Sequence, residues 1–123
     1  MSRTRHYRDL IAWQKAMDLA RFVYTETEEF PNSETFGLPM QLRRSAVNFA
    51  SHIAKAHGRL NDAEVRKGLS SARAALNELV TQAEPASSLG FFRVAAADKM
   101  FAIASEVGKL INGLIGVLEP DSR

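Results

Sequence analysis

The amino-acid sequence predicts an all-α protein, a single-domain antiparallel four-helix bundle. Apolar residues recur at intervals of three and four along four segments, as they do on one face of an amphipathic helix. Prolines and glycines separate these segments, at positions 31, 37, 58 and 90, and both residue types commonly mark helix ends. No segment alternates apolar and polar residues in the manner of a half-buried strand. The 123 residues are enough for one domain around one hydrophobic core.

The first two helices are predicted from their apolar stripes and from the residues that flank them. Helix 1 is expected over about residues 9–29, since the residue before Pro31 is disfavoured in a helix. Its stripe consists of Leu10, Trp13, Met17, Ala20 and Tyr24, widened by Ala16, Leu19 and Val23. Helix 2 is expected over residues 38–57, with Pro39 in its first turn and Gly58 after its last. A loop over residues 31–37 joins the two helices.

Helices 3 and 4 follow from a capping pattern, a proline and a glycine. Asn61 is expected to cap helix 3, with Glu64 three residues later in a capping-box-like pair. The predicted core stripe of this helix consists of Val65, Leu69, Ala72, Leu76, Leu79 and Ala83. Pro85 should kink or end the helix, because proline lacks the amide hydrogen that a helix interior needs. Gly90 marks the turn into helix 4, which is expected over about residues 93–118.

Helix 4 is apolar around most of its circumference. Its apolar residues are Val94, Met100, Phe101, Ile103, Ala104, Val107, Leu110, Ile111, Leu114, Ile115, Val117 and Leu118, which leave a narrow polar line of Asp98, Ser105, Lys109 and Asn112. A surface helix of a monomeric bundle needs only one apolar stripe, and a four-helix bundle has no central helix. The pattern therefore predicts a homo-oligomer in which helix 4 contacts another subunit. The alternative is a lopsided monomer with helix 4 at its centre.

Composition and motifs exclude several classes of protein. The chain has no cysteine, which excludes disulfide frameworks, thiolate zinc sites and cysteine nucleophiles and favours a reducing compartment. His52 and His57 are five residues apart and point to different faces of a helix, so no metal site is predicted. A Gly-rich phosphate loop and a nucleophile elbow are both missing from the sequence. We therefore expect no catalytic residues, no cofactor and no small-molecule substrate.

The sequence also favours a soluble, cytoplasmic protein. The first eight residues are basic and polar, unlike a signal peptide. Charged residues, among them Asp98 and Glu106, interrupt the apolar stretch of helix 4, whereas a membrane span needs about 20 predominantly apolar residues. No contact with a membrane is expected.

Helix 2 carries the candidate binding surface. No acidic residue lies between Thr35 and Asn61. At 100° per residue, polar side chains of this segment fall on one line, here called the basic line, made of Gln41, Arg44, Asn48, His52, Lys55 and Arg59. Cationic and amide side chains together are typical of contacts to the nucleic-acid backbone, so this line is predicted to bind structured RNA or DNA. A net charge of only +2 favours the alternative, a merely solvated helix face.

Arg43 departs from this pattern because it projects towards the apolar side of helix 2. A buried guanidinium is costly unless a carboxylate pairs with it. A structural ion pair is therefore predicted, with a ligand-binding arginine as the alternative. The candidate partners are Glu78, Asp9, Asp18 and an acid of a neighbouring subunit.

Both ends of the chain are expected to lie outside the bundle, which would comprise residues 9–118. Residues 1–8 are predicted to form a flexible basic arm containing Arg3, Arg5 and Arg8, and residues 119–123 a C-terminal tail. The arm is either a disordered tail or an additional electrostatic contact with nucleic acid.

The order of several motifs resembles a known family. The motifs are DLIAWQKA (9–16), Phe30-Pro31 with Glu34, Phe36-Gly37-Leu38, QLRRSA (41–46), Ile53-Ala54 with Gly58-Arg59, NEL (77–79) and Thr81-Gln82. Over residues 7–118 this order resembles bacterial four-helix-bundle proteins encoded inside the intervening sequences of large-subunit (23S) ribosomal RNA genes. The family usually has glutamate and glycine where this chain has Lys55 and Ala56, so the local surface is more basic here.

The resemblance implies a four-helix bundle that assembles as a ring, a pentamer, without enzymatic activity. The sequence is also similar to the accessory variability proteins of diversity-generating retroelements, which implies a pentameric barrel that binds nucleic acid. Together with the basic line, this favours a non-catalytic homo-oligomer that binds structured RNA or DNA. The alternative is a protein-interaction or scaffolding module in which the same face binds a protein partner, and an enzyme is least favoured.

Overall fold

The computed structural model describes residues 6–31 and 37–119. A 3-10 turn over Tyr7–Asp9 precedes four helices, which are α1 (Ile11–Thr27), α2 (Leu38–His57), α3 (Asp62–Ser88) and α4 (Val94–Leu118). The described part of the chain contains no strand. The predicted all-α class and four-helix architecture are therefore confirmed, and α2 has the predicted bounds.

The helices form a closed antiparallel bundle. Each helix packs against its neighbours along the chain, and α1 also packs against α4. Lys15 Nζ lies 3.5 Å from Glu106 Oε2, and Arg93 Nη2 lies 3.1 Å from Glu26 Oε1. Residue numbers thus rise along α1 as they fall along α4, which is the antiparallel arrangement.

The most extensive helix pairing joins α2 and α3. A Cβ placed on Gly68 would lie 2.6 Å from the Cβ of Ala56, closer than real carbon atoms approach. Glycine at this position therefore lets the two backbones come together. Further along the pair, Ser45 Oγ donates a hydrogen bond to Gln82 Oε1 at 2.7 Å.

The ends of α3 show one prediction confirmed and one partly wrong. Asn61 Oδ1 accepts a hydrogen bond from the Glu64 amide at 2.9 Å, as the predicted cap requires. Pro85 does not end α3, which continues to Ser88. Proline removes the donor for the carbonyl of Thr81, and both residues are exposed, so water can satisfy that carbonyl.

The core is built from one buried stripe per helix. Its largest fully buried side chains are Phe49, Leu19, Leu42, Ile53, Leu79, Met100, Ile111, Val23 and Val107. In α3, the predicted stripe is buried throughout. In α1, the buried residues are Ala12, Ala16, Leu19, Ala20, Val23 and Thr27. Four of these were predicted, whereas the predicted Leu10, Trp13 and Met17 are only half-buried. Tyr24 is 46% exposed, so the buried face of α1 is centred on the residues that were predicted to widen the stripe.

Helix α4 buries one stripe and leaves further apolar side chains accessible. Phe101 and Ile103 are half-buried, and Val94 is 79% exposed. By length and composition α4 is apolar enough to cross a membrane, as core helices of soluble proteins also are. Residues 101–118 contain only two charged side chains, so the charges interrupt the apolar stretch less than expected.

Part of the predicted N-terminal arm packs against the bundle. The Tyr7 ring meets the Trp13 ring edge-on at 5.2 Å between centroids, and Gln14 Nε2 donates to the Arg8 carbonyl at 2.8 Å. Arg3 and Arg5 of the arm lie outside the described residues, as do residues 32–36 of the predicted loop and 120–123 of the tail.

Candidate nucleic-acid interface

The basic line occupies the outer surface of α2. Its predicted opposite face, made of Leu42, Ala46, Phe49, Ala50 and Ile53, is buried. All members of the line are exposed except His52, which is half-buried. This arrangement follows from helical periodicity, since residues on opposite faces alternate between core and solvent.

Arg59 was assigned to the line by helical periodicity but lies beyond the end of the helix. Helix α2 ends at His57, with Gly58 as its C-terminal cap. The Arg59 amide still donates to the carbonyl of Ala56 at 3.1 Å, so the chain continues in a turn. The first turn of α3, which follows at once, is acidic. The row of basic side chains is therefore bounded by acidic residues at this end.

The N-terminal half of the line borders a groove between α2 and α3. This α2–α3 groove has a volume of about 460 Å³ and is lined by Met40, Gln41, Arg44, Ser45, Asn48, Glu78 and Gln82. Three predicted residues thus come together, and four others were not predicted to belong to the site. The predicted antiparallel pairing of α2 and α3 could have indicated the α3 residues of this groove, because it places the C-terminal half of α3 beside the N-terminal half of the basic line.

Glu78 changes the electrostatics of the predicted surface. Helix α2 has no acid of its own, but α3 brings this carboxylate into the same groove as Arg44. Within residues 6–31 and 37–119, no carboxylate forms an ion pair with Arg44 or Lys55. The groove is therefore a mixed-charge site, and the uncompensated positive charge of α2 lies further along, at Lys55.

His52 lies between these two parts of the line. Partial burial, and then the nearby Lys55 ammonium, lower the pKa of His52 below the 6.5 of a free imidazole. The ring is therefore largely neutral at pH 7, and it contributes hydrogen bonding more than charge to this surface.

Arg43 does not form the predicted ion pair with any acid of the described chain. Its Nε donates to Thr27 Oγ1 at 2.8 Å and its Nη2 to the Tyr24 carbonyl at 3.2 Å. The guanidinium also lies 5.0 Å from the centroid of the Tyr24 ring. Glu78, Asp9 and Asp18 are thus not its partners, because neutral oxygens and an aromatic face on α1 already surround it. An acid from a neighbouring subunit stays a prediction.

The model of one protein family, described as 23S rRNA-intervening sequence protein, matches residues 8–113. The chain belongs to this family. A comparison with curated proteins finds no match. The match runs from the turn before α1 into the last turns of α4, so the predicted membership is confirmed. The further similarity to retroelement accessory proteins stays a prediction.

In this member of the family, a second basic groove lies between α3 and α4. It also measures about 460 Å³ and is lined by Arg66, Lys67, Ser70, Arg73, Ile115 and Glu119. Arg66 Nη1 donates to the Leu118 carbonyl at 3.1 Å, and Arg73 Nη1 to Asn112 Oδ1 at 3.0 Å. These arginines connect the two helices, and sequence analysis missed them because their partners lie far away in the chain.

The family description names an intervening sequence and no catalytic activity. Within the described ranges, no three His, Cys, Asp or Glu side chains come close enough together to hold a metal ion. The basic line is thus the candidate site that the sequence and the geometry both indicate.

Proposed function

We propose that this member of the family is a non-catalytic, cytoplasmic homo-oligomer, a pentamer, that binds structured RNA or DNA through the basic line. The observation that carries the proposal is the row of amide and cationic side chains along α2, which are exposed apart from the half-buried His52. A ring would present this row once per subunit, so weak individual contacts would combine.

Self-association is supported by an apolar patch where α1 begins and α4 ends. Ile11 is 54% exposed and Val117 is 61% exposed, while Leu110 and Leu114 are half-buried. The contact between Lys15 and Glu106 places Ile11 level with Leu110 in the antiparallel pair. Exposure of such an apolar patch to water is unfavourable, and a second copy of the chain would cover it. The pentameric state rests on the family resemblance.

A protein partner is the second candidate for the α2 face. Met40 is 41% exposed and Val47 is 47% exposed, and both lie on α2 beside the basic line. Exposed apolar side chains next to polar groups are typical of protein interfaces. This observation supports the interaction or scaffolding function.

Gel shifts with a structured RNA hairpin, duplex DNA and single strands test the leading proposal. The variant Arg44→Gln/Lys55→Gln/Arg59→Gln should bind more weakly and depend less on salt, because each neutralised phosphate contributes about 0.9 to the slope of log affinity against log salt on duplex DNA. Circular dichroism and light scattering should show an unchanged fold and mass, since these side chains are exposed.

Two controls locate the binding surface. The variant Lys67→Gln/Arg73→Gln/Lys109→Gln removes the same charge from the α3–α4 side, and deletion of residues 1–5 removes Arg3 and Arg5 of the arm. Both should leave affinity nearly unchanged. Loss of binding in either control alone would place the site there. Unaltered affinity and salt dependence in the α2 variant would favour the protein-partner function.

A further inference from the structure

We propose that the α2–α3 groove binds an unpaired guanine base. The inference rests on the proposed function, since the base would belong to the nucleic acid bound along the rest of the basic line. It assigns different roles to the two halves of that line. The groove would recognise a base, and the C-terminal half would contact phosphates.

The charge of the groove argues against a phosphate ligand. Glu78 lines the groove together with Arg44, and a phosphate placed there would meet a carboxylate of like charge. Lys55 lies two helical turns beyond Asn48, away from the groove-lining residues. A neutral group with both donors and acceptors is a better ligand for the groove than an anion.

The hydrogen-bonding groups of the groove define what that neutral group must offer. Ser45 Oγ already occupies Gln82 Oε1, which leaves the Gln82 amide nitrogen to donate. Arg44 can only donate, and an ionised Glu78 can only accept. The ligand therefore needs two donors for the carboxylate oxygens and acceptors for the guanidinium and the amide.

Guanine meets this requirement better than the other bases. Its Watson–Crick edge carries two adjacent donors, N1–H and N2–H, which match the two oxygens of Glu78, whereas the other bases lack such a pair. Its O6 and N7 are acceptors, and arginine is their commonest partner. In a duplex the donor edge is already paired, so only an unpaired guanine can bind, as in the loops that most sequence-specific RNA-binding proteins recognise.

The groove has room for a single base. Its volume of about 460 Å³ lies within the range of sites for small molecules. Met40, 41% exposed at the rim, offers a thioether to the face of an aromatic ring, a favourable contact. These features place the base in the groove with its edge towards Glu78 and Arg44.

Hairpins that differ in one loop base test the inference. Fluorescence anisotropy would give the Kd for RNA hairpins of identical stem with guanine, inosine or adenine at one loop position. The guanine hairpin should bind on the order of tenfold more tightly than either other hairpin, which is the discrimination that one bidentate contact gives against a wrong base. Inosine tests this contact because it lacks the N2 amino group. A DNA hairpin with the same loop should show the same preference if the base alone is recognised, and a preference in RNA only would add the 2′-hydroxyl to the ligand.

Two matched variants assign the preference to the groove. Glu78→Gln should abolish the preference for guanine without weakening binding to the other hairpins, because it removes both the acceptor pair and a negative charge. Glu84→Gln removes an exposed acid of α3 outside the groove and should keep the preference. Lys55→Gln should weaken all hairpins equally.

Each failure has a separate meaning. Equal affinities for the three loops overturn the guanine assignment and leave the proposed function standing. A preference that persists in Glu78→Gln overturns the role of the groove. Failure to bind any hairpin or duplex overturns the guanine assignment together with the proposed function.

Discussion

The α2–α3 face and the outer side of α4 are both accessible to solvent, yet their chemistry differs. The former carries cations, amides and one carboxylate around a groove, whereas the latter carries half-buried Leu110 and Leu114 and exposed Val117. Every helix of the bundle buries one stripe in the core, so packing of the core does not explain the composition of these two outer surfaces. This difference supports our proposal that the first face binds a polar ligand and that the second contacts another copy of the chain.

Adjacent substitutions in α4 should separate folding from assembly, with the largest effect expected for this chain. Ile111 is fully buried, so Ile111→Asp should unfold the protein, since an unpaired charge in a core costs several kcal/mol, on the order of total stability. Leu110 is half-buried, so Leu110→Asp should keep its helicity but lose assembly. Thermal melting by circular dichroism and light scattering measure the two properties. A native mass near 13.6 kDa at micromolar concentration would contradict assembly.

A pair of glycine substitutions compares the tight α2–α3 contact with the open surface of α4. Gly68→Ala would place a methyl group 2.6 Å from the Ala56 Cβ and should destabilise the fold by about 1 to 3 kcal/mol. No atom lies within 4 Å of a Cβ built on Gly113, so Gly113→Ala should stabilise an isolated chain by up to about 1 kcal/mol. Urea unfolding measures both.

The same pair reports on the α4 surface. Weakened assembly in Gly113→Ala would show that another subunit covers that position. An unaffected Gly68→Ala variant would show that the α2–α3 contact is looser than the structure indicates.

Substitutions of Arg43 and of its partner Thr27 test whether the side of α2 next to α1 takes part in ligand binding. Thr27→Val removes the buried acceptor of Arg43 Nε and should cost about 1 to 2 kcal/mol of stability. Arg43→Met should cost less, because the long apolar side chain keeps its packing. Neither change should alter the Kd for a nucleic-acid hairpin. A large loss of affinity in Arg43→Met with unchanged unfolding would instead identify a ligand-binding arginine.

The smallest expected effect is a pH dependence at His52. The folded-state pKa of His52 lies below 6.5. As the pH falls towards this pKa, the unfolded chain therefore binds more protons than the folded chain, so His52 lowers stability in acid. A bound phosphate favours the protonated ring, so affinity for a hairpin should rise between pH 7.5 and 5.5. One such partly exposed contact is worth up to about 1 kcal/mol, or about fivefold. Anisotropy titrations should show a smaller rise in His52→Gln, and an identical rise would exclude His52.

Local sequence patterns predicted the helices with good accuracy where strong end signals exist. The bounds of α2 and the Asn61 cap match because a proline, a glycine and a capping side chain act within one turn of the helix. In α1 the core lies on the residues that were predicted to widen the stripe, because the neighbouring helices decide which side of a broad apolar face is buried. For Arg43, Glu78, Asp9 and Asp18 are not the partners, because the guanidinium reaches a hydroxyl and a carbonyl on α1 instead.

The sequence alone determined which residues of α2 face solvent, because helical periodicity is a property of the chain within a few turns. It also indicated the family and the apolar excess of α4. Only the tertiary structure decided that the face of α2 is a mixed-charge groove. Glu78 lies 34 positions beyond Arg44 in the chain, and the two residues line one groove because the packing of α3 against α2, which the Ser45–Gln82 hydrogen bond joins there, brings them together. Electrostatics depends on distance in space, which no pattern within a single helix contains.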